Sequence, residues 1–452
     1  MKAESVNIRN ITNMGFRFDP SLHLSEGVKV IEELNALPFP IYDLQDVTDR
    51  IFYGNIFTRI WVKDDTHGIP YLAASDTVLS TVDSGLYLAK KQAIDMPYLV
   101  LKKGWTLITC SGTLGNTAYT NNNFAGKMAT HDLIRVVPDE EKLLGGYVYA
   151  FLSSKYGYYQ LTQSQFGGVV KHINTKQAGQ IRIPVLSKDV VSRIDSMITK
   201  SADLREIGTK ALAHAHSIFA NEISIRVKPK SHSINIKEIF NQSEKRFEGT
   251  IYTDKAQAIS EAIFELFKYK TVGELALNIF NEGIFKREYV EKGHPFMMGS
   301  DIMKAIPTAS KFISYKQALK KQELFVKEGW ILMTCSGSVG DVVYVDKQLT
   351  PFIYTHDLIR IVPRDDDEQL YLFGFLSSPI GKKLVNHYKY GSVIQHLEAF
   401  HVSGIPVPIL DDYKQEIISN VRTYVEANYE AKMLELQAIS MVEAEIEKWN
   451  KA

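Results

Sequence analysis

Two stretches of this 452-residue chain carry almost the same text: GWTLITCSGTLGNTAY at 104–119 and GWILMTCSGSVGDVVY at 329–344. The offset at the two cysteines is 335 − 110 = 225, and it also aligns Trp105 with Trp330, Gly112 with Gly337, Gly115 with Gly340 and Tyr119 with Tyr344. It continues into THDLIRVVP (130–138) against THDLIRIVP (355–363), so that 17 of the 35 positions in 104–138 match their partners in 329–363. Upstream, GIPYLAASD (68–76) faces GHPFMMGSD (293–301), and Lys91-Gln92-Ala93 faces Lys316-Gln317-Ala318. Downstream the offset slips by one, through FLSS (151–154 and 375–378) and His172 with His396, to IPVL (183–186) and VPIL (407–410). Weaker echoes set Arg17-Phe18-Asp19 against Arg246-Phe247-Glu248. Solenoid repeats have periods of about 20–50 residues. This period is a whole domain, copied once.

Composition narrows the class further. With 45% hydrophobic and 23% charged residues, the chain is neither disordered nor collagen-like. No apolar run reaches the roughly 18 residues of a membrane span, and MKAESVNIRN at the start has no signal-type apolar segment. Cys110 and Cys335 are the only cysteines, too few for a disulfide framework, so a reducing cytoplasm is the expected location. Lys and Arg total 52, as do Asp and Glu, and the zero net charge argues against coating nucleic acid by bulk attraction. Local basic patches stay possible.

Each copy reads as an α+β domain followed by a long helix. TLITCSG and ILMTCSG are short apolar runs that stop at Ser-Gly, as buried strands do. DLIRVV and DLIRIV are second strands closed by Pro138 and Pro363. LLGGYVYAFLSS and QLYLFGFLSS read as helices, and IRIPVL and IPVPIL as short strands. The boundaries are an N-terminal extension at 1–14, globular domains at 15–186 and 251–410, long helices at 187–226 and 411–452, and a polar linker at 227–250. The first helix carries a stripe of Val190, Ile194, Met197, Leu204, Ala211, Ala215 and Ile218, interrupted at Ser201 and Gly208. The second carries Ile418, Val421, Val425, Ile439, Val442, Ile446 and Trp449. Such seams suit the pairing of the two helices as an antiparallel coiled coil.

Catalytic motifs are missing. There is no GxGxxG after a strand, no GxxxxGK[ST], no HExxH and no CxxC. Asp95-Met96-Pro97-Tyr98 resembles an amino-methyltransferase motif but lacks its first proline and has no echo in copy two. Cys110 with His131, and Cys335 with His356, could make thiolate pairs. Yet each cysteine ends an apolar strand, where a small buried residue is the commoner use. A binding role remains, carried by cations and polar turn residues that position phosphates and read base edges. In copy one these are Arg59, Lys63, Lys90, Lys91, Ser111, Thr113, Lys171 and His172. In copy two they are Lys286, Arg287, Lys316, Lys320, Lys321, Ser336, Ser338, Lys389, Gln395 and His396. No metal site is expected.

With its two-copy plan of domain plus helix, its ITCSGTLG and MTCSGSVG turns and its IPVL and VPIL strands, the sequence resembles the specificity subunit of type I restriction-modification systems, or a relative in a methylation-associated phage-defence system. The resemblance spans residue 15 to the C-terminus. It implies two tandem target-recognition domains, each reading one half of an asymmetric, bipartite site in double-stranded DNA, with the helices as a ruler between them. It implies a chain without catalysis or cofactor of its own. Two methyltransferase subunits would dock on it and carry S-adenosylmethionine for adenine methylation, with an endonuclease/translocase as an optional further partner. The alternatives are a protein-interaction scaffold that reads no DNA and a Cys–His enzyme. On the resemblance, zero net charge means weak DNA binding by the isolated chain, its partners supplying much of the phosphate neutralisation.

Overall fold

The repeat appears as topology in the computed structural model, which describes residues 8–13, 25–112, 114–163, 172–223, 236–241, 255–391 and 394–450. Copy one contributes β1 (Ile41–Asp43), β2 (Thr48–Phe52), β3 (Trp61–Val62), β4 (Gly68–Leu72) and β5 (Leu86–Ala89). They are followed by β6 (Thr106–Thr109), β7 (Thr117–Tyr119), β8 (Met128–Ala129), β9 (Leu133–Pro138) and β10 (Arg182–Pro184). Copy two contributes β11 (Tyr269–Thr271), β12 (Ala276–Asn281), β13 (Tyr289–Val290), β14 (His294–Met297) and β15 (Lys311–Ile313). Then come β16 (Ile331–Thr334), β17 (Val342–Tyr344), β18 (Ile353–Tyr354), β19 (Leu358–Pro363) and β20 (Pro406–Pro408). The sheets β2-β9-β6-β7, β3-β5-β4-β8 and β1-β10 recur as β12-β19-β16-β17, β13-β15-β14-β18 and β11-β20.

The central strands are mostly apolar and almost wholly buried because both sheet faces are covered. In β6 and β9, Ile108, Ile134 and Val136 face one cluster with the helix Gly145–Ser153, while Leu107 and Leu133 face another with Trp105 and Phe124. Copy two divides in the same way: Ile331, Met333 and Ile359 lie on one side, and Leu332 and Leu358 on the other.

The long helices run from Lys188 to Glu222 and from Lys414 to Asn450. The sequence set them apart as segments of their own, but packing shares each between two compact units. Unit one comprises 1–206 with 430–452, and unit two comprises 207–429. Val191, Ile194 and Ile198 join Ala438, Val442 and Ile446 in the core of unit one. Ala215, Ile218 and Phe219 join Ile417, Ile418 and Val421 in that of unit two.

The stripe needs correction in its first half. Val191, Ile198 and Ala202 are buried, whereas Val190, Met197 and Leu204 are half-buried, and Trp449 of the second helix is exposed. The supposed interruptions are close contacts. Ser201 is buried and its hydroxyl donates to Ala431 O at 2.9 Å. A Cβ on Gly208 would lie 2.9 Å from Asn428 Nδ2 and 3.4 Å from Tyr424 O. Helices that approach this closely need small residues at the contact, which a search for large apolar side chains passes over. In unit one, Arg205 and Glu435 form a largely buried ion pair at 2.7 Å, and Glu435 also accepts from the Tyr149 hydroxyl.

Candidate nucleic-acid interface

The Ser-Gly turns come first, because the backbone dictates them. Gly112 and Gly337 hold φ of 73° and 77°, a left-handed conformation that favours glycine. The turns are tied at their bases. Thr109 N donates to Asn116 O at 2.9 Å, and Thr334 N to Asp341 O at 2.9 Å. Beside each turn runs the histidine segment: Ser111 bridges His172, and Ser336 bridges His396. Ile173 N reaches Cys110 O, Leu397 N reaches Cys335 O, and Gly337 N reaches Gln395 O. Residues expected in the binding set, 61 and 60 positions apart, are thus brought together in each unit (172 − 111 and 396 − 336). Thr113 and Lys171 lie outside the described residues.

A second element is the segment Phe57-Thr58-Arg59, repeated as Phe285-Lys286-Arg287. A glutamine fixes it. Gln92 Nε2 donates to Thr58 O at 2.7 Å while its Oε1 accepts from Ile60 N at 2.8 Å. Gln317 does the same with Lys286 O at 2.7 Å and Glu288 N at 3.0 Å. The Lys-Gln-Ala match is therefore a backbone clamp, with Lys91 and Lys316 exposed beside it. Lys63, Lys90, Lys286 and Lys320 are exposed too, and Lys321 sits 3.1 Å from Glu323.

The clamped arginines lean on the Thr-His-Asp element. Arg59 Nε donates to the Tyr71 hydroxyl at 2.8 Å, and its Nη2 lies 3.4 Å from Thr130 Oγ1. Arg287 Nη2 reaches Thr355 Oγ1 at 3.2 Å, His356 Nδ1 at 3.1 Å and Asp357 Oδ2 at 3.4 Å. Phe57 and Phe285 pack edge-on against His131 and His356. Burial holds the His356 imidazole below its ordinary value. The neutral ring accepts from Arg287 through Nδ1 and keeps its proton on Nε2, 3.3 Å from Asp357 Oδ1. In unit two a continuous path follows, since Cys335 N donates to Asp357 O and so links this element to the Ser336 turn.

The arginine of each THDLIR is turned inward. Arg135 and Arg360 are fully buried. Arg135 donates to the carbonyls of Leu133, Ala129 and Thr130, and Arg360 to those of Leu358, Tyr354 and Thr355. Burial lowers each guanidinium to about 10, so both stay charged at neutral pH. They brace the loop that presents His131 or His356. The thiols are unsuited to nucleophilic work: burial, the first cause, pushes Cys110 up to about 11 and Cys335 up to about 12. Among the described residues no cluster of His, Cys, Asp and Glu could hold a metal ion, and no helix is long and apolar enough to cross a membrane.

Sequence reasoning picked Arg59 and Arg287 singly and missed that they are equivalent. Their offset is 287 − 59 = 228, three residues out of the 225 frame. Ile-Phe-x-Arg at 56–59 and 284–287 was the signal available.

Residues 264–437 match the family model described as the type I restriction modification DNA specificity domain. The chain also resembles the crystal structure of a type I restriction-modification S subunit from M. genitalium, at 14% identity over 92% of this chain and 96% of that one, with a TM-score of 0.32. It resembles the HsdS subunit from Thermoanaerobacter tengcongensis at 14% identity over 91% and 97%, with a TM-score of 0.28. No curated protein is matched. The second copy is thus a DNA specificity domain of the restriction-modification type.

Proposed function

We propose that the chain reads an asymmetric, bipartite DNA site through two target-recognition domains, residues 15–186 and 251–410. The observation that carries this is the same interface built twice: a Ser-Gly turn bridged to a histidine segment, and a glutamine-clamped arginine on Thr-His-Asp. Basic side chains near each one position phosphates, while Ser111, Ser336, Gln395 and the two histidines face base edges. The long helices pair as an antiparallel coiled coil and set the gap between half-sites. Gly208 against Asn428, with His214 2.7 Å from Glu416, supports that sense of pairing. Two adenine methyltransferase subunits, carrying S-adenosylmethionine, dock on this scaffold, and an endonuclease subunit is a further candidate partner.

The test is co-expression with the neighbouring methyltransferase, followed by sequencing of modified adenines. A bipartite target is expected, with exchange of 15–186 for another member's domain altering one half only. Methylation that is independent of this chain, or altered in both halves by that exchange, overturns the reading.

A further inference from the structure

In unit one a single carboxylate joins three elements. Arg205 Nη2, on the first long helix, donates to Glu435 on the second at 2.7 Å. Glu435 also accepts from the hydroxyl of Tyr149, on the helix Gly145–Ser153 of the globular domain. The Ser201 hydroxyl lies 3.5 Å from the same carboxylate. Glu435 and Tyr149 are buried, and the Arg205 side chain is largely so. The residue after Arg205 ties in a loop of the domain. Glu206 accepts from Asn122 N at 2.9 Å and from Asn122 Nδ2 at 2.8 Å, with Lys103 Nζ 3.4 Å away. Asn121 Nδ2 donates to Ala202 O at 2.9 Å. One turn of the first helix thus fastens both the domain and the second helix by directional bonds.

Unit two makes the same joint without charge. Tyr149 corresponds to Phe373 in the frame of the FLSS match (373 − 149 = 224). The ring contacts confirm it: Tyr149 meets Tyr119 at 5.6 Å between centroids, and Phe373 meets Tyr344 at 5.8 Å. Phe373 then stacks on Tyr424 of the second long helix at 5.9 Å. Among the described residues, 207–222 and 414–429 bury no charged side chain. An apolar joint is therefore enough to seat such a domain, and a buried ion pair is often no more stabilising than apolar residues of its size. What the pair adds is direction. The helix contact around it is lined by small residues, Ser201, Ala202, Ala431 and Ala438, all buried. Packed helices slide on one another by small shear movements, and a buried polar contact is what fixes register between paired helices.

Register matters most for the gap between half-sites. One base pair more or less moves a half-site by about 3.4 Å along the duplex and turns it by roughly a tenth of a helical turn. A domain on a sliding apolar seat follows such a change at small cost, whereas one bonded through Glu435 must break the bond. Resting on the bipartite reading above, we propose that Glu435 is a positioning residue for spacing. Engaged by Arg205 and Tyr149, it holds the first domain at one place on the long helices and so restricts the assembled complex to one gap.

The experiment uses the full chain co-expressed with its methyltransferase and a plasmid library carrying the mapped target. Its gap is kept, or lengthened or shortened by one base pair, and modified adenines are sequenced. The parent should modify the altered gaps only weakly. The triple variant Tyr149→Phe, Arg205→Leu, Glu435→Leu copies the apolar joint of unit two. It should modify the parental target as before and raise modification of the altered gaps about tenfold, the equivalent of about 1.4 kcal/mol. Tyr149→Phe alone leaves the ion pair in place and should raise it about threefold, the scale of one hydrogen bond. Ile198→Val loosens the same core without touching these bonds and should leave gap selectivity unchanged. If the triple variant and Tyr149→Phe both keep the parental selectivity, the inference fails while the bipartite reading stands. If Ile198→Val relaxes the gap as far as the triple variant, the cause is lost stability and the inference fails. If the parent's modified target is not bipartite, the underlying reading has failed, which is a separate result.

Discussion

The two units solve the same anchoring problem with different partners for one arginine. In unit one Arg59 bonds the Tyr71 hydroxyl, and His131 Nδ1 has no partner among the described residues. In unit two the position equivalent to Tyr71 is Phe296 (296 − 71 = 225), which offers no hydroxyl. Arg287 turns to His356 Nδ1 and Asp357 instead. The aromatic ring itself is kept, with the guanidinium 5.5 Å from the Tyr71 ring and 5.7 Å from the Phe296 ring. One oxygen atom thus redirects a hydrogen-bond network inside an otherwise repeated frame. The lesson is that the two copies share the backbone clamp and differ in the polar surface, a difference that the proposed reading of two unlike half-sites requires.

Three experiments would break or sharpen this comparison. The largest effect belongs to what the units share. Arg135→Leu and Arg360→Leu each remove donors from three buried carbonyls, a loss only partly offset by no longer burying a charge. Each should cost about 3 kcal/mol of unit stability, read by denaturant melts. A loss in only one unit would mean that the shared frame is less equivalent than its topology.

Next come the clamps. Gln92→Ala and Gln317→Ala each remove two hydrogen bonds, worth about 1–3 kcal/mol together. Hydrogen exchange should rise in 58–60 for the first variant and in 286–288 for the second. Exchange that stays slow would show that the segment is held by something other than the glutamine.

The smallest effect tests the divergence itself. Tyr71→Phe should cost about 1 kcal/mol and swing Arg59 toward His131 Nδ1, reproducing unit two. Phe296→Tyr should draw Arg287 onto the new hydroxyl. Crystal structures of both variants would decide, and an Arg59 left in place would show that the hydroxyl is not what directs it.

Much of the fold was legible because burial leaves a local trace. TLIT and ILMT read as buried strands, since sheets covered on both faces need unbroken apolar runs. The long helices were legible from their stripes, though the stripe of the first was misplaced by one residue at Val191 and Ile198. A 3.6-residue period tolerates such a shift when neighbouring positions are also apolar. Within the candidate site, the Ser-Gly turns and the histidines stood out as repeated text, but their pairing did not. The roles of Gln92 and Gln317 were hidden because a glutamine in a polar stretch looks the same whether it is solvated or clamps a backbone 34 residues away.

The sequence by itself determined the duplication, the α+β alternation in each copy, the two long helices and the family likeness, all of which depend on order along the chain and on local patterns of burial. Tertiary structure decided the sharing of each helix between the two units, the close contacts at Ser201 and Gly208, and the inward turn of Arg135 and Arg360. It also decided which partner each clamped arginine takes. Those outcomes depend on which distant groups arrive within about 3 Å of one another, and no local pattern encodes such a distance.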